Sequence, residues 1–118
     1  MRKFLIIFIA ILMAAVRGFA QVEGDVMDVS NKFIPNAIVI ATDTVTKKMD
    51  TVHTDERGFY FFKNLKPGIH KFEAKATGFL PTVKFFKVNP APEGANDSDD
   101  TYFAETLDII LKRPKSPK

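Results

Sequence analysis

Polar and apolar residues alternate in steps of two after residue 20, and turn signals interrupt the alternation about every ten residues. In His70–Ala76, for example, Phe72 and Ala74 alternate with charged residues. Successive side chains of a strand point to opposite faces of the sheet, so this pattern is typical of a half-buried strand. The predicted strands span residues 22–29, 37–42, 47–54, 59–62, 70–76, 82–88 and 102–111. Short strands between closely spaced turns predict an all-β fold, a seven-stranded antiparallel β-sandwich.

The first 20 residues have a different composition and predict a cleavable signal peptide. Met1–Lys3 is cationic, Phe4–Val16 is a run of thirteen apolar residues, and Gly18–Ala20 ends in a small-x-small pattern. This order of head, apolar core and small residues is that of an export leader. A membrane-spanning helix needs about 20 apolar residues, so the run is short for a span. We expect an exported protein, periplasmic or extracellular, in contact with the membrane only during export; cleavage and retention as an anchor both stay open.

Charge and cysteine content narrow the functional classes. Three of the 17 basic residues belong to the leader, which leaves 14 basic against 14 acidic side chains in residues 21–118. Nucleic-acid binding requires a clustered basic surface, and the one basic cluster is residues 112–118, which we expect to be a disordered tail. With no cysteine in the chain, disulfides are excluded. We therefore predict a single domain at residues 21–111, held together by its core and without a nucleic-acid partner.

An ordered set of turn and strand residues resembles a known family, the carboxypeptidase regulatory-like domain. It begins with Gly24-x-Val26 and continues through one turn motif of Thr54, Asp55, Gly58, Tyr60, Phe62, Leu65 and Gly68. The resemblance implies a prealbumin-like, Greek-key sandwich, also grouped with carbohydrate-binding-like folds, and a module without peptidase activity. In the turn itself, Asp55 can cap backbone amides and Gly58 permits a tight return. His70 departs from the family, which usually has an aromatic residue there.

Residues suited to catalysis are sparse. The chain has no cysteine and two histidines, His53 and His70, for which we expect surface or strand-edge positions. A zinc site needs three or four clustered ligands, and no such cluster is visible in the sequence. Transthyretin-like hydrolases share the implied fold, but their C-terminal signature is missing, which makes that activity a distant alternative. We expect no enzyme and no cofactor.

One acidic segment offers oxygen ligands that a calcium ion could use. Asp97, Asp99 and Asp100 lie close together in a polar loop. Calcium takes six to eight oxygen ligands, and the EF-hand spacing fails because Leu107 occupies the twelfth position counted from Asn96. A solvated acidic loop is the preferred interpretation, and calcium is the weak alternative.

Outward-facing apolar residues predict a docking surface. If Tyr60 faces the core, alternation turns Phe59 and Phe61 outward, and the same argument turns Ile38 and Ile40 outward. Large exposed apolar patches usually mark interaction sites. We predict docking to an envelope protein or self-association through these four residues, unless other parts of the chain cover them.

A glycan ligand is the second functional possibility. Sugar platforms use the flat faces of exposed Trp or Tyr. The chain has no Trp, and its two tyrosines are Tyr60, expected in the core, and Tyr102. The identity of the partner and the oligomeric state stay open.

Overall fold

A computed structural model describes residues 20–90 and 104–115. The leader, residues 1–19, and the acidic calcium candidate at Asp97, Asp99 and Asp100 lie outside the described residues. The described residues form eight strands: β1 Ala20–Asp28, β2 Ile38–Asp43, β3 Met49–His53, β4 Phe59–Leu65, β5 Gly68–Lys75, β6 Thr82–Val88, β7 Ala104–Thr106 and β8 Ile109–Leu111. None of the described residues forms a helix long and apolar enough to span a membrane.

The strands form two sheets that pack face to face, which confirms the predicted all-β sandwich. One sheet has the order β4-β1-β7, with β8 also paired to β1, and the other has the order β3-β2-β5-β6. Every second residue of β1 is buried, as the alternation requires. The inward side chains of both sheets form one apolar core, made of Ala20, Val22, Val26, Ile34, Ala37, Val39, Ala41, Tyr60, Phe62, Leu65, Phe72, Ala74, Val88, Ile109 and Leu111.

The last predicted strand, residues 102–111, is in fact two short strands, and neither is antiparallel to its neighbour. β7 and β8 both pair with β1 in parallel. The ladder breaks between them, where the amide of Leu107 donates to the carbonyl of Glu23 and the amide of Asp25 donates to Asp108 Oδ1. The seven-stranded antiparallel prediction is therefore corrected to eight strands with one mixed sheet. Residues joined by a long connection are free to pair in parallel, whereas a tight hairpin imposes antiparallel pairing.

Both ends of the predicted domain also shift. β1 begins at Ala20, one residue before the predicted boundary, and Ala20 pairs with Leu65. At the other end, the predicted disordered tail begins in contact with the domain. Leu80 donates its amide to the carbonyl of Lys112, and the Arg113 guanidinium lies 5.1 Å from the centre of the Phe79 ring. The folded part therefore extends at least to Arg113, because the chain after β8 stays paired with the loop before β6.

Candidate docking surfaces

The turn motif between β3 and β4 is held by hydrogen bonds to a carboxylate and by a close backbone approach at Gly58. Asp55 Oδ1 accepts hydrogen bonds from the amides of Arg57 at 2.8 Å and Phe59 at 3.0 Å. Gly58 has a φ of 76°, and a Cβ there would meet the carbonyl oxygen of Val26 at 2.8 Å. The predicted capping and tight return are thus both present, and the turn sets the register of β4 on β1.

Thr54 completes this motif from the inside. Its buried hydroxyl accepts from the amide of Ala37 at 2.7 Å and donates to the carbonyl of Ile34 at 2.8 Å. The hydroxyl therefore satisfies two backbone groups of the segment before β2. Further along the motif, Leu65 is buried as expected, and Gly68 opens β5 with a φ of 133°.

Tyr60 and Gly24 both contact Leu107, where the pairing with β1 is interrupted between β7 and β8. The buried Tyr60 hydroxyl donates to the carbonyl of Leu107. A Cβ at Gly24 would lie 1.9 Å from that same carbonyl oxygen, so a glycine is needed at this close approach. Burial raises the pKa of the Tyr60 phenol well above its ordinary value, and the carboxylates of Asp108 and Asp25 raise it further.

The two histidines differ, and the expectation for one of them was wrong. His53 is exposed on β3, as predicted. His70 is only 2% exposed and lies 6.2 Å from Phe72 between ring centres. Its Nδ1 lies 3.2 Å from the carbonyl oxygen of Gly68. His70 thus lies in the core beside Phe72.

Asp43 pairs with His70 across β2 and β5, but its carboxylate is hydrogen-bonded to the turn that follows β2. Asp43 Oδ1 accepts from the amides of Val45 at 2.8 Å and Thr46 at 3.2 Å. The hydrogen bond from the Val45 amide is the main cause that lowers the pKa of Asp43, and the neighbouring His70 contributes a smaller lowering. A carboxylate committed to backbone amides in this way stabilises the charged form and closes the loop after β2.

The four residues predicted to form one docking face do not lie together. Ile38 and Ile40 are on β2, whereas Phe59 and Phe61 are on β4, and these strands belong to different sheets. Each pair does point outward, Ile38 with 37% exposure and the other three half-buried. The single face is therefore corrected to two opposite faces. Alternation tells which side of a strand faces the core, and it carries no information on which sheet holds the strand.

Carboxylates collect on the outer side of the sheet β4-β1-β7/β8, which we call the acidic face. Glu23 and Asp25 are the outward residues of β1 that pair with Phe61 and Phe59 of β4. Asp108 lies beside Asp25 through the hydrogen bond described above. Burial raises the pKa of Asp25, and the charges of Asp108, Asp55 and Glu23 raise it further. That upward shift reports a concentration of negative charge around Asp25.

Exposed apolar groups border the acidic face. Phe33, 53% exposed, continues the row of Phe59 and Phe61 by bridging to Met27. Ile110, on β8, pairs with the other side of Met27 and is also exposed. The face therefore combines an acidic centre with an aromatic row on one flank.

The outer side of the sheet β3-β2-β5-β6 has the opposite charge, and we call it the basic face. Its outward charged side chains on β5 and β6 are Lys71, Glu73, Lys75 and Lys87. Glu73 is the one carboxylate among the outward residues of these four described strands, and Lys75 Nζ lies 2.8 Å from it. That hydrogen bond is the largest cause lowering the pKa of Glu73, and Lys71 lowers it further.

Apolar residues of β6, together with Ile38 and Ile40 of β2, lie beside the lysines on the basic face. Phe85 is 67% exposed and pairs with Lys71, and Val83 next to it is exposed as well. Phe86 turns inward instead, with its ring 6.1 Å from that of Phe72. As expected for adjacent strand residues, one of the two phenylalanines faces out.

Two of the open clefts on the described part of the surface border on the strands of the sandwich. One, of about 430 Å³, is lined by Asn36, Ile38, His53, Lys75, Ala76 and Thr77. The other lies between the loop after β1 and the segment after β8, next to Lys32 and Arg113. Neither contains a tyrosine, and Tyr60 is buried and cannot serve as a sugar platform. No group of three or more potential metal ligands occurs among the described residues.

The sequence profile of the carboxypeptidase regulatory-like domain matches residues 21–97, which is more than half of the chain. The chain belongs to this family. No curated protein sequence matches it. The predicted resemblance is thereby confirmed, and the carboxypeptidase regulatory-like domain accounts for both sheets except the strands β7 and β8.

Solved structures share the fold of this carboxypeptidase regulatory-like domain at low identity. Hydroxyquinol 1,2-dioxygenase from Pseudomonas putida is 12% identical with a TM-score of 0.64, covering 83% of this chain and 57% of its own. Catechol 1,2-dioxygenase from Acinetobacter radioresistens is 12% identical with a TM-score of 0.61, covering 86% and 54%. The pilus 2b backbone protein of group B streptococcus is 15% identical with a TM-score of 0.56, covering 82% and 41%. This chain therefore matches only part of each protein, and the likeness shows the fold alone.

The sequence analysis did not predict that the two outer faces differ in charge, although the order of charged residues within β1 and β5 contains part of this information. Glu23 and Asp25 have the same parity in β1 and so had to point outward together. Lys71 and Lys75 share the outward parity of β5 in the same way. The contribution of Asp108 was not accessible, because it depends on the break between β7 and β8.

Proposed function

We propose that this chain is an exported, non-catalytic carboxypeptidase regulatory-like module that docks to a protein at the cell envelope. The observation that carries the proposal is the set of apolar side chains exposed on both outer faces, with Phe85 as the most exposed aromatic residue of the described strands. Contiguous exposed apolar groups, rimmed by charge, are characteristic of interaction surfaces.

The use of the buried polar side chains supports a non-catalytic role. Asp28, Asp43 and Thr54 are buried and accept hydrogen bonds from backbone amides of nearby loops. Among the described residues, no buried side-chain nitrogen or oxygen lacks a hydrogen-bond partner. Catalytic groups are usually held in a cleft with a partner that activates them, whereas these groups hold the backbone. The similarity to dioxygenases, at 12% identity, concerns the fold and does not assign their chemistry to this chain.

Export is proposed from the leader at residues 1–20. Its expected cleavage point follows Ala20, and the first strand begins at that residue. Cleavage there removes Ala20 and its pairing with Leu65, so β1 of the mature domain begins at Gln21. Mass spectrometry of the protein recovered from the host's envelope tests this: an N-terminus at Gln21 supports export, and an intact Met1 in the cytoplasm contradicts it.

Docking is tested by site-specific photo-crosslinking in the intact host. A photoreactive amino acid at position 85 samples the basic face, one at position 59 samples the acidic face, and one at the exposed Lys48 turn is the matched control. Discrete crosslinked bands from position 85 or 59, absent from position 48, support docking. Equal and diffuse labelling from all three positions refutes it.

A further inference from the structure

We infer that a second copy of this chain is the partner of these faces, the acidic face of one copy stacking on the basic face of the next. This inference rests on the proposed docking function and names its partner. It follows from the fact that both faces belong to the same molecule and have opposite charge.

Charge complementarity is the first argument. On one face Glu23, Asp25 and Asp108 outnumber the exposed Lys63 of β4, and on the other Lys71, Lys75 and Lys87 outnumber Glu73. Opposite potentials that meet across an interface set its orientation and suppress pairing of like faces. Residues 21–118 carry equal numbers of basic and acidic side chains. A molecule near zero net charge associates more readily, because long-range repulsion between copies is absent.

The apolar residues give the contact a second component. The acidic face presents Phe33 and Ile110, and the basic face presents Phe85 and Val83, all of them exposed. Burying these groups between two sheets removes apolar area from water. Flat sheet faces with alternating side chains can also interdigitate about 10 Å apart, as the two sheets of the sandwich do.

The size of the two faces determines how strong a contact between two copies is expected to be. Strands about 4.8 Å apart with a rise of about 3.3 Å per residue give a four-stranded face of roughly 400 Å² in projection. Two such faces bury about 800 Å² in total, which is less than the roughly 1,200–2,000 Å² of a stable specific interface and predicts a weak, reversible contact. Because different faces meet, the contact is heterologous, and it generates a ring or an open row of copies rather than a closed twofold dimer.

Light scattering coupled to sizing tests the inference with protein purified after expression of the full 118-residue chain. We expect the average mass to rise with concentration at about 0.1 M salt, and to fall at about 1 M salt, where the Debye length shrinks to about 3 Å. Asp25→Lys reverses an outward charge of β1 and so disrupts the acidic face, and circular dichroism checks that the variant is folded before its mass is compared. Lys71→Glu disrupts the basic face, and Lys87→Glu is its second variant on the exposed edge strand β6.

Each single variant should weaken association at least about tenfold, since like charges then face each other. Glu56→Lys and Lys66→Glu are matched controls, because they reverse exposed charges in turns outside both faces and should leave the mass unchanged. The decisive measurement is a mixture of Asp25→Lys with Lys71→Glu. Each still has one intact face, so the mixture should recover a mass that neither variant reaches alone.

The outcomes separate this inference from the docking proposal. A chain that is monomeric up to about 1 mM, or variants that associate like the wild type, overturns stacking. If position 85 then still crosslinks to a different envelope protein, docking stands and only the identity of the partner was wrong. If association is lost in one variant only and the mixture recovers nothing, the contact joins like faces, and the inference is refuted.

Discussion

The hydroxyl of Tyr60 provides a quantitative test of how the two ends of the fold are held together. Tyr60 is 1% exposed and donates its hydroxyl to the carbonyl of Leu107, at the break between β7 and β8. Tyr60→Phe keeps the ring and its edge contact with Phe62, whose centre is 5.8 Å away. The variant leaves a part-buried carbonyl without its donor, which should lower the free energy of unfolding by about 1–3 kcal/mol near neutral pH.

The same hydroxyl also predicts a dependence on alkaline pH. Because burial raises the pKa of Tyr60 in the folded state, the unfolded chain loses this proton first, at about pH 10. Above that pH the unfolded state holds fewer protons than the folded state. Stability therefore falls by about 1.4 kcal/mol per pH unit until the folded-state pKa is reached. Tyr60→Phe lacks this contribution, so the free energies of unfolding of variant and wild type should converge at about pH 11–12.

Urea unfolding followed by far-ultraviolet circular dichroism, at several values between pH 7 and pH 12, measures both effects. Ionisable groups that are common to both proteins cancel in the difference. Tyr102→Phe is the matched control because it removes the other tyrosine of the chain. Two parallel stability curves, separated by a constant amount from pH 7 to pH 12, would refute the account of a buried phenol that stays protonated.

Three further outcomes follow from local geometry. Gly24→Ala forces a Cβ to within 1.9 Å of a backbone oxygen and should lower the free energy of unfolding by about 3 kcal/mol or more. Gly78→Ala places a Cβ with nothing within 4 Å, but at a φ of 86°, and should cost about 1 kcal/mol. Thermal melts compare the two variants, and equal losses contradict the steric argument. Thr54→Val removes two buried hydrogen bonds and should cost about 2–4 kcal/mol in urea unfolding; a loss below about 0.5 kcal/mol would show that water replaces the hydroxyl. The pKa values of Asp28 and Asp43 are lowered, chiefly by hydrogen bonds from backbone amides. The stabilisation from these carboxylates is therefore complete above their unfolded-state pKa near 4 and is lost as pH falls through their folded-state pKa values. The double variant Asp28→Asn/Asp43→Asn should flatten the acid limb of the stability curve, and an unchanged limb assigns the acid sensitivity to other groups.

Local features of this fold could be predicted from sequence because they depend on neighbours in the chain. The return at Gly58 and the caps from Asp55 need only a few consecutive residues, and both are present. β6 spans Thr82–Val88 as predicted, since alternation and flanking turns define it. The inward position of His70 was also signalled, because it has the same parity as Phe72. Histidine is usually expected at the surface, but the packing of β5 places His70 in the core.

Pairings between distant segments could not be read in the same way. The period of two places Ile40 and Phe61 on outer faces, but it does not say that these faces lie on opposite sides of the sandwich. The parallel pairing of β7 with β1 joins residues 80 or more positions apart, and no turn signal encodes it. The acidic face depends on that pairing, because Asp108 reaches Asp25 only through it. The candidate surfaces were therefore predictable residue by residue, and their arrangement was not.

The parallel pairing of β1 with β7 and β8 also determines how the domain would respond to mechanical force. The chain enters β1 at Ala20 at one end of the sheet and leaves β8 at Leu111 at the other. Tension between these two points slides β1 against β7 and β8 along their length, so the hydrogen bonds that join them are loaded in shear and share the load. Bonds loaded one after another, as in a peeled hairpin, break at lower force. A module connected through both ends of this pairing would thus transmit a pull while its sandwich stays intact.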